Sequence, residues 1–368
     1  MKKILVIGSD GYIGFALCKV LLKAGHMVAG LDNGIRRAMV EEMGSNSIIP
    51  VLPIDERHLK LAEDFSNYQF LKGSTLDYEL LCNLLGQFQP DAIIHLGEQP
   101  SAPYSQRDVF HSCATQNNNV LGTLNLLWAM KTNCPDAHLV KLGSMGEYGT
   151  QNNLIPEEDF TYHKQPGSFY HASKVHDSFN INLACRIWNL SCTDIMQGVV
   201  YGLNDCKCGK HLTRFDYDET FGTVINRFIA SAIIGEPLTV YGKGGQTRGF
   251  LPLMDSLQCI QVVIDNPAEK GEHRIINQFA KTYSVKELAG IVKKVGNEMD
   301  LDVDFSFVEN PRKEKEEHTY EVVHKWLEEH GYKPNHDIEG VIKDTITRLI
   351  PFKERIKKEV IEPKTTWV

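Results

Sequence analysis

The run ILVIGSDGYIG, residues 4–14, decides the fold. Four consecutive aliphatic residues at 4–7 suit a strand buried on both faces, as strands are in a parallel sheet covered by helices. Gly8, Gly11 and Gly14 follow at once, and from Tyr12 and Ile13 the apolar residues repeat with helical spacing to residue 24. A strand that turns through glycines into a helix brings backbone close to a pyrophosphate at the positive helix N-terminus. The spacing is G-x-x-G-x-x-G, not the commoner G-x-G-x-x-G, so the context has to support the reading. Asp32 supports it: this residue ends a second β-rich run, 27–32, and lies 18 residues beyond Gly14. A carboxylate there suits the hydroxyls of an adenosine ribose and repels a 2′-phosphate, which points to NAD. Arg36 and Arg37 follow closely and keep NADP open as the alternative.

Outward from this stretch the alternation continues. Strands are expected at 70–72, 92–96, 138–142 and 193–197, with helices at 78–85, 117–131 and 170–188. Such alternation implies a parallel sheet with helices on both faces. After Tyr201 the pattern changes to a polar loop (204–218), a helix (221–234), a strand (237–241) and a glycine-rich turn (242–245). The stretches 248–258 and 274–277 read as elements that return to the sheet. The expected architecture is α/β, a doubly wound Rossmann-like domain over 1–198 with return elements from about 246–278. A smaller α+β substrate domain is expected from 199–245 and 279–368, with a cleft between the two.

Bulk properties narrow the class. A chain of 368 residues with 42% hydrophobic and 23% charged residues is ordinary for a globular enzyme. A net charge of −8 argues against a broad nucleic-acid surface. No apolar run reaches the roughly 18–20 residues of a membrane span, and the apolar N-terminus is too short for a signal peptide, so the expected location is cytoplasmic. The nine cysteines are odd in number and scattered, which suits reduced thiols. Cys206, Cys208 and His211 form half of a possible metal site, but no completing ligands lie nearby, so the expectation is a polar loop and no metal.

The chemistry is expected at Tyr170 and Lys174, whose four-residue spacing puts them on one helix face. A phenol titrates near 10 and needs a neighbouring cation to act as a base near neutrality, a charge Lys174 can supply. Upstream, Ser144 closes the strand expected at 138–142, at the sheet edge where open α/β folds bind ligands. Thr115, Gln116 and Asn119 read as the start of the helix after the fourth strand, either lining the nicotinamide side or capping that helix.

The glycine turn, strand-end Ser144 and the Tyr170/Lys174 pair, in this order, resemble the extended short-chain dehydrogenase/reductase family. Longer strings resemble one branch of it, the UDP-sulfoquinovose synthases: GEQPSAPY (97–104), LGSMGEYG (142–149), SFYHASKVH (168–176), QGVVYG (197–202), VYGKGGQTRG (240–249) and NPR (310–312). The likeness runs from Gly8 to Trp367. Sugar-nucleotide dehydratases of the family carry an Asp-Glu pair after the strand-end hydroxyl, where this chain has Met145 and Gly146. Ser144 replaces a Thr of the plant enzymes, Pro100 an Arg beside the cofactor, and Ser74 an Asp after the third strand.

The resemblance implies an NAD-dependent conversion of UDP-glucose and sulfite to UDP-sulfoquinovose. The steps are oxidation at C4, loss of water across C5–C6, sulfite addition at C6 and re-reduction at C4. Tyr170, Lys174 and Ser144 are the implied catalytic groups, with Glu147, Met145 and His171 near C6. The cofactor is assigned to Gly8, Asp10, Gly11, Tyr12, Ile13, Gly14, Asp32, Asn33, Arg36, Arg37, Ser74, Thr75, Leu96, Gly97, Glu98, Asn119, Gln197 and Val200, together with Tyr170 and Lys174. The substrate is assigned to Gln99, Ser101, Thr115, Gln116, Ser144, Gln197, Thr223, Arg227, Thr239, Tyr241, Gln246, Arg248, Asn277, Arg312 and Glu316. Sulfite arrives free or from a delivering partner protein, and a homodimer is implied. A UDP-sugar 4-epimerase, a 4,6-dehydratase and a non-catalytic nucleotide-binding scaffold stand as alternatives.

Overall fold

A computed structural model of the chain describes residues 1–149, 155, 164–205, 211–311 and 322–362. The first half reads β1 (Lys3–Ile7), α1 (Tyr12–Lys23), β2 (Met27–Asp32), α2 (Ile35–Glu42), α3 (Ile54–Asp64), β3 (Tyr68–Lys72), α4 (Tyr78–Phe88) and β4 (Ala92–His95). There follow α5 (Ala102–Ser105), α6 (Val109–Gln116), a π-helical turn (Asn117–Leu121), α7 (Gly122–Asn133), β5 (His138–Ser144), α8 (Phe169–Trp188) and β6 (Ser191–Gln197). The remainder comprises β7 (Val199–Tyr201), α9 (Val224–Ile234), β8 (Leu238–Tyr241), β9 (Thr247–Pro252), α10 (Leu253–Asp265), β10 (His273–Gln278), β11 (Lys281–Ser284), α11 (Val285–Glu298), β12 (Phe305–Val308), α12 (Lys325–Glu329) and α13 (Ile338–Leu349).

Seven strands form one sheet in the order β10-β6-β5-β4-β1-β2-β3, and every pairing is parallel. The chain winds outward from β1 in one direction and then, from β4, in the other. The carboxyl ends of β1 and β4 therefore flank a crevice with no crossover above it, the place where such sheets bind ligands. One face of the sheet packs residues of α1 and α10, such as Phe15, Leu17, Leu257 and Ile260; the other packs residues of α4, α7 and α8, such as Leu81, Leu126 and Ile181. A separate apolar cluster joins α9, α11 and α13 around Phe228, Val292 and Ile346.

Two expectations need correction. Of the returning elements, only β10 reaches the main sheet, beside β6. Residues 247–252 instead form the centre of a three-stranded sheet, β11-β9-β7, and 253–265 are helical. The apolar end of the strand and the apolar face of the helix run together in sequence, and only the pairing partners separate them. The helix expected at 117–131 begins earlier, at Val109, behind the N-cap Asp108, whose carboxylate accepts the His111 N–H at 3.0 Å. Thr115, Gln116 and Asn119 therefore lie inside the helix and neither begin nor cap it.

No helix among the described residues is long and apolar enough to cross a membrane.

Candidate active site

A cleft of about 570 Å³ opens along the carboxyl edge of the sheet, continuous from the glycine turn to Arg248. At its first end Gly8 adopts φ +85°, and a Cβ there would lie 2.6 Å from the Leu96 carbonyl carbon. A Cβ on Gly14 would lie 2.0 Å from the Gly8 carbonyl oxygen, so turn and helix approach closely only because both residues lack side chains. The N-cap of α1 is Gly11, which offers no side chain to the first-turn N–H groups. Asp32 accepts the N–H groups of Asp10 (2.9 Å) and Gly34 (2.7 Å) and lines the cleft with Asn33.

The neighbouring charges face elsewhere. The Asp10 carboxylate turns away from the cleft to a bidentate pair with Arg37 (2.6 and 2.7 Å) and to Arg57 Nη1 (2.8 Å). Burial alone would raise its pKa, but Arg37 and Arg57 outweigh burial and hold it below the ordinary value. Arg36 lines the cleft with its head on Asp216 at 2.7 Å and its guanidinium 4.0 Å from the centre of the Phe221 ring. Both arginines are thus engaged by carboxylates. Asp10 and Arg37, expected at the cofactor, instead brace the turn from behind.

Tyr12, Ile13, Ser74, Thr75, Leu96, Gly97, Glu98, Gln197 and Val200 also line the cleft. Asn119 does not: it is buried behind the wall, accepting the Gln99 N–H at 2.8 Å and donating to Ser173 Oγ at 2.9 Å. Gln99 and Thr115 belong to the same buried lattice through a 2.8 Å bond, and Gln116 donates to the Phe169 carbonyl at 2.8 Å. The π turn instead presents Asn118 to the cleft, a residue with no sequence signal of its own. The segment 219–222, just before the expected Thr223, forms another unanticipated wall, with Arg36 against Phe221 and Ser101 bonded to the Thr220 carbonyl.

At the centre, Tyr170 and Lys174 rise from the first turns of α8, and Ser144 closes β5. The Ser144 hydroxyl lies near enough to the Tyr170 phenol to pull its pKa down. Lys174 Nζ lies 5.9 Å from the Tyr170 ring centre, donates to the Leu142 carbonyl at 2.7 Å and forms an ion pair with Glu98. The expected lowering of the Tyr170 pKa is corrected here. Burial raises it, Lys174 and Ser144 pull it down, and Glu98 and Glu147 add to the rise, so the net direction is upward.

The three residues expected near C6 separate. Met145 and His171 line the cleft, and Ser168, the N-cap of α8, fixes His171 by a 2.9 Å bond to Nδ1. Glu147 is wholly buried and points away from the cleft: it accepts from Ser144 N–H (3.2 Å) and Lys164 Nζ (2.7 Å), with Lys141 Nζ at 3.7 Å. It completes a capping box with Ser144 over the 3₁₀ turn Met145–Tyr148 and does not face the cleft.

Of the residues expected at the substrate, Ser101, Thr223 and Arg248 line the cleft. Arg227 donates to Tyr241 Oη at 2.6 Å, and Gln246 Nε2 to the Tyr241 carbonyl at 3.3 Å, forming a buried group just behind. Asn277 lies under the wall, accepting from Tyr148 Oη at 3.1 Å and donating to the Val323 carbonyl. Thr239 is displaced: β8 pairs with β12 at Thr239↔Ser306, and both residues line a separate hollow with Ser231. Arg312 and Glu316, like Cys206 and Cys208, lie outside the described residues. His211 bonds Asp64 at 2.7 Å.

A parallel seven-stranded sheet with a glycine turn, a strand-end serine and a Tyr/Lys pair at its carboxyl edge defines a dinucleotide-dependent enzyme class. The chain belongs to the NAD dependent epimerase/dehydratase family, which matches residues 4–277. Within that family it stands with the UDP-sulfoquinovose synthases. It is 42% identical to the chloroplastic UDP-sulfoquinovose synthase of Spinacia oleracea, over 100% of this chain and 79% of that one. It is 41% identical to the UDP-sulfoquinovose synthase of Sulfolobus acidocaldarius, over 99% and 97% respectively. The fold matches UDP-glucuronic acid 4-epimerase from Bacillus cereus, solved with UDP-glucuronic acid and NAD, with a TM-score of 0.72 at 20% identity over 96% of this chain and 100% of that chain. The cofactor is therefore NAD. The site fits it, since the uncapped first turn of α1 offers donors for a pyrophosphate, Asp32 offers acceptors for a ribose, and neither Arg36 nor Arg37 is left for a 2′-phosphate.

Proposed function

We propose that the protein makes UDP-sulfoquinovose from UDP-glucose and sulfite. The observation that carries the reading is the Ser144–Tyr170–Lys174 group beside a bare Gly146 whose space is filled by His171, at whole-chain identity to two UDP-sulfoquinovose synthases. Bound NAD supplies a reversible hydride acceptor, so the cycle consumes no net oxidant. Tyr170 takes the proton of the sugar 4-hydroxyl, and Ser144 hydrogen-bonds the same oxygen as it becomes a carbonyl. A C4 ketone acidifies the C5 proton; that proton and the 6-hydroxyl leave as water. Sulfite then forms a C–S bond at C6 with its own lone pair as C5 takes up a proton; C4 regains its hydride while the proton held by Tyr170 returns to the C4 oxygen. His171 is the titratable side chain we assign to the C5–C6 elimination. Arg248, backed by Arg227, Tyr241 and Gln246, serves the UDP moiety, with guanidinium forks suited to phosphate.

The test is incubation with UDP-glucose in heavy water, with and without sulfite, followed by mass analysis. The expected result is C5-proton exchange without sulfite and a sulfonated sugar only when sulfite is added. A 4-epimer would assign an epimerase and a 6-deoxy-4-keto sugar a dehydratase. No turnover with any UDP-hexose would favour a scaffold.

We assign a homodimer built on the α6–α7 and α8 faces. Phe179, Leu183 and Ile187 recur every fourth residue along α8 and are all exposed, and Phe110, Leu121 and Trp128 are exposed on the adjoining helices. An apolar stripe of this kind is what a second copy would cover; sedimentation of wild type against Leu183→Lys tests it. The seven described cysteines are free thiols, which supports a reducing compartment such as the cytoplasm. We place the boundary between the NAD-binding domain and the substrate domain at residues 198/199.

A further inference from the structure

Directly after β4, Glu98 enters the cleft wall with its side chain almost wholly buried. Its carboxylate meets the Lys174 ammonium, which is also held by the Leu142 carbonyl at 2.7 Å. Lys174 is thus gripped from two strand ends, by groups after β4 and on β5. The other charged groups around the pair are engaged or silent. Lys141, on β5, is taken by Asp194 of β6 (3.2 Å) and by Ser178 of α8. Glu147 is taken by Lys164. His95, on β4, is pushed down to about 4 by burial and is neutral where the enzyme works. Burial holds the Asp177 carboxyl of α8 well above the ordinary carboxylate range. His171, on α8, is bound by Ser168 through Nδ1. Glu98 is the anion left facing Lys174.

We propose that Glu98 is a positioning residue that sets the balance of the Tyr170 base: it holds Lys174 in place and offsets part of its positive charge at the phenol. The inference rests on the proposed roles of Tyr170 and Lys174. A base in a redox-neutral cycle must both take the 4-hydroxyl proton and give it back. A phenol made too acidic by an unopposed ammonium would accept the proton poorly, and one with no ammonium beside it would hold the proton too firmly to begin. A carboxylate on the far side of Lys174 moves the phenol between these limits. Burial, the largest influence on each, raises the Tyr170 pKa and lowers that of Lys174, yet both stand above their ordinary values, with Glu98 acting upward on each.

The test is a pH titration of the Tyr170 tyrosinate in the NAD-bound protein, read as the absorbance difference between each protein and its Tyr170→Phe counterpart. Glu98→Gln keeps the size and removes the charge; the midpoint should fall by about one pH unit, tenfold in acidity. The rising limb of kcat/KM against pH should move with it. Glu98→Asp, in which the carboxylate retreats by one methylene, should give a smaller fall and keeps the test open if the Gln variant does not fold. A midpoint that is unmoved or raised in either folded variant overturns the proposal. The titration needs no sugar nucleotide, so failure of wild type to use UDP-glucose would refute the proposed reaction while leaving this result readable.

Discussion

The imidazole of His171 occupies the space in front of Gly146: a Cβ at 146 would lie 2.2 Å from Nε2 and 2.4 Å from Cδ2 of that ring. The missing side chain and the histidine are one feature. At the position where dehydratases of the resembling family carry the second acid of their pair, this chain has no side chain, and a residue of α8 moves in. Gly146→Ala should therefore push the imidazole aside while leaving the UDP end of the cleft intact. A displacement of this size costs about 100-fold in turnover, with KM for UDP-glucose changed only a few-fold. Steady-state kinetics check this, and wild-type turnover in the variant would show that the imidazole position does not matter.

Tyr170→Phe removes one oxygen from a half-buried ring at the cleft wall and keeps the ring itself. Folding and UDP-glucose binding, followed by circular dichroism and calorimetry, should persist. Turnover should fall by roughly two to four orders of magnitude, the scale of a lost general base. A variant with near-normal turnover would remove Tyr170 from the mechanism.

Cofactor identity can be read without turnover. Because Arg36 and Arg37 are held by Asp216 and Asp10, and because 219–223 walls the cleft opposite the glycine turn, NAD(H) should copurify and exchange slowly. Denaturing purified protein and separating the released nucleotide should yield NAD(H). Recovery of NADP(H) would contradict the placement of Asp32.

Glu147 lies buried between two ammonium groups, so Glu147→Gln removes the carboxylate that Lys164 and Lys141 share, while Lys141 keeps Asp194. Removing one partner of a buried pair costs about 3–5 kcal/mol. Thermal denaturation should show a Tm lower by several degrees, with kcat per folded molecule nearly kept. An unchanged Tm with a collapse in kcat would return Glu147 to the chemistry.

The local rules that made the first strand, turn and helix legible act over a few residues. An aliphatic run, glycines where backbone must pass close, an acid at the end of the next strand and a Tyr/Lys pair one helical turn apart are all set by neighbours in the chain. The cofactor turn, the seven strands of the main sheet, α1 and most of α8 could therefore be read from residues in order. The positions of the charges could not. Asp10 carries the same letter whether it faces a cofactor or Arg57 of a helix more than forty residues away, and Glu147 the same letter whether it protonates a sugar or neutralises Lys164. Likewise β9 looked like a strand of the main sheet because its apolar run reads the same in either sheet, and Thr239 looked like a ligand residue until its strand met β12. Periodicity records which face of an element is buried, but not which partner buries it. An ion pair joins residues distant in sequence, and its sign and direction exist only once the fold has brought both ends together. The class of enzyme was thus settled by the order of residues, and the division of labour among its carboxylates by the packing of α8 against the ends of β4 and β5.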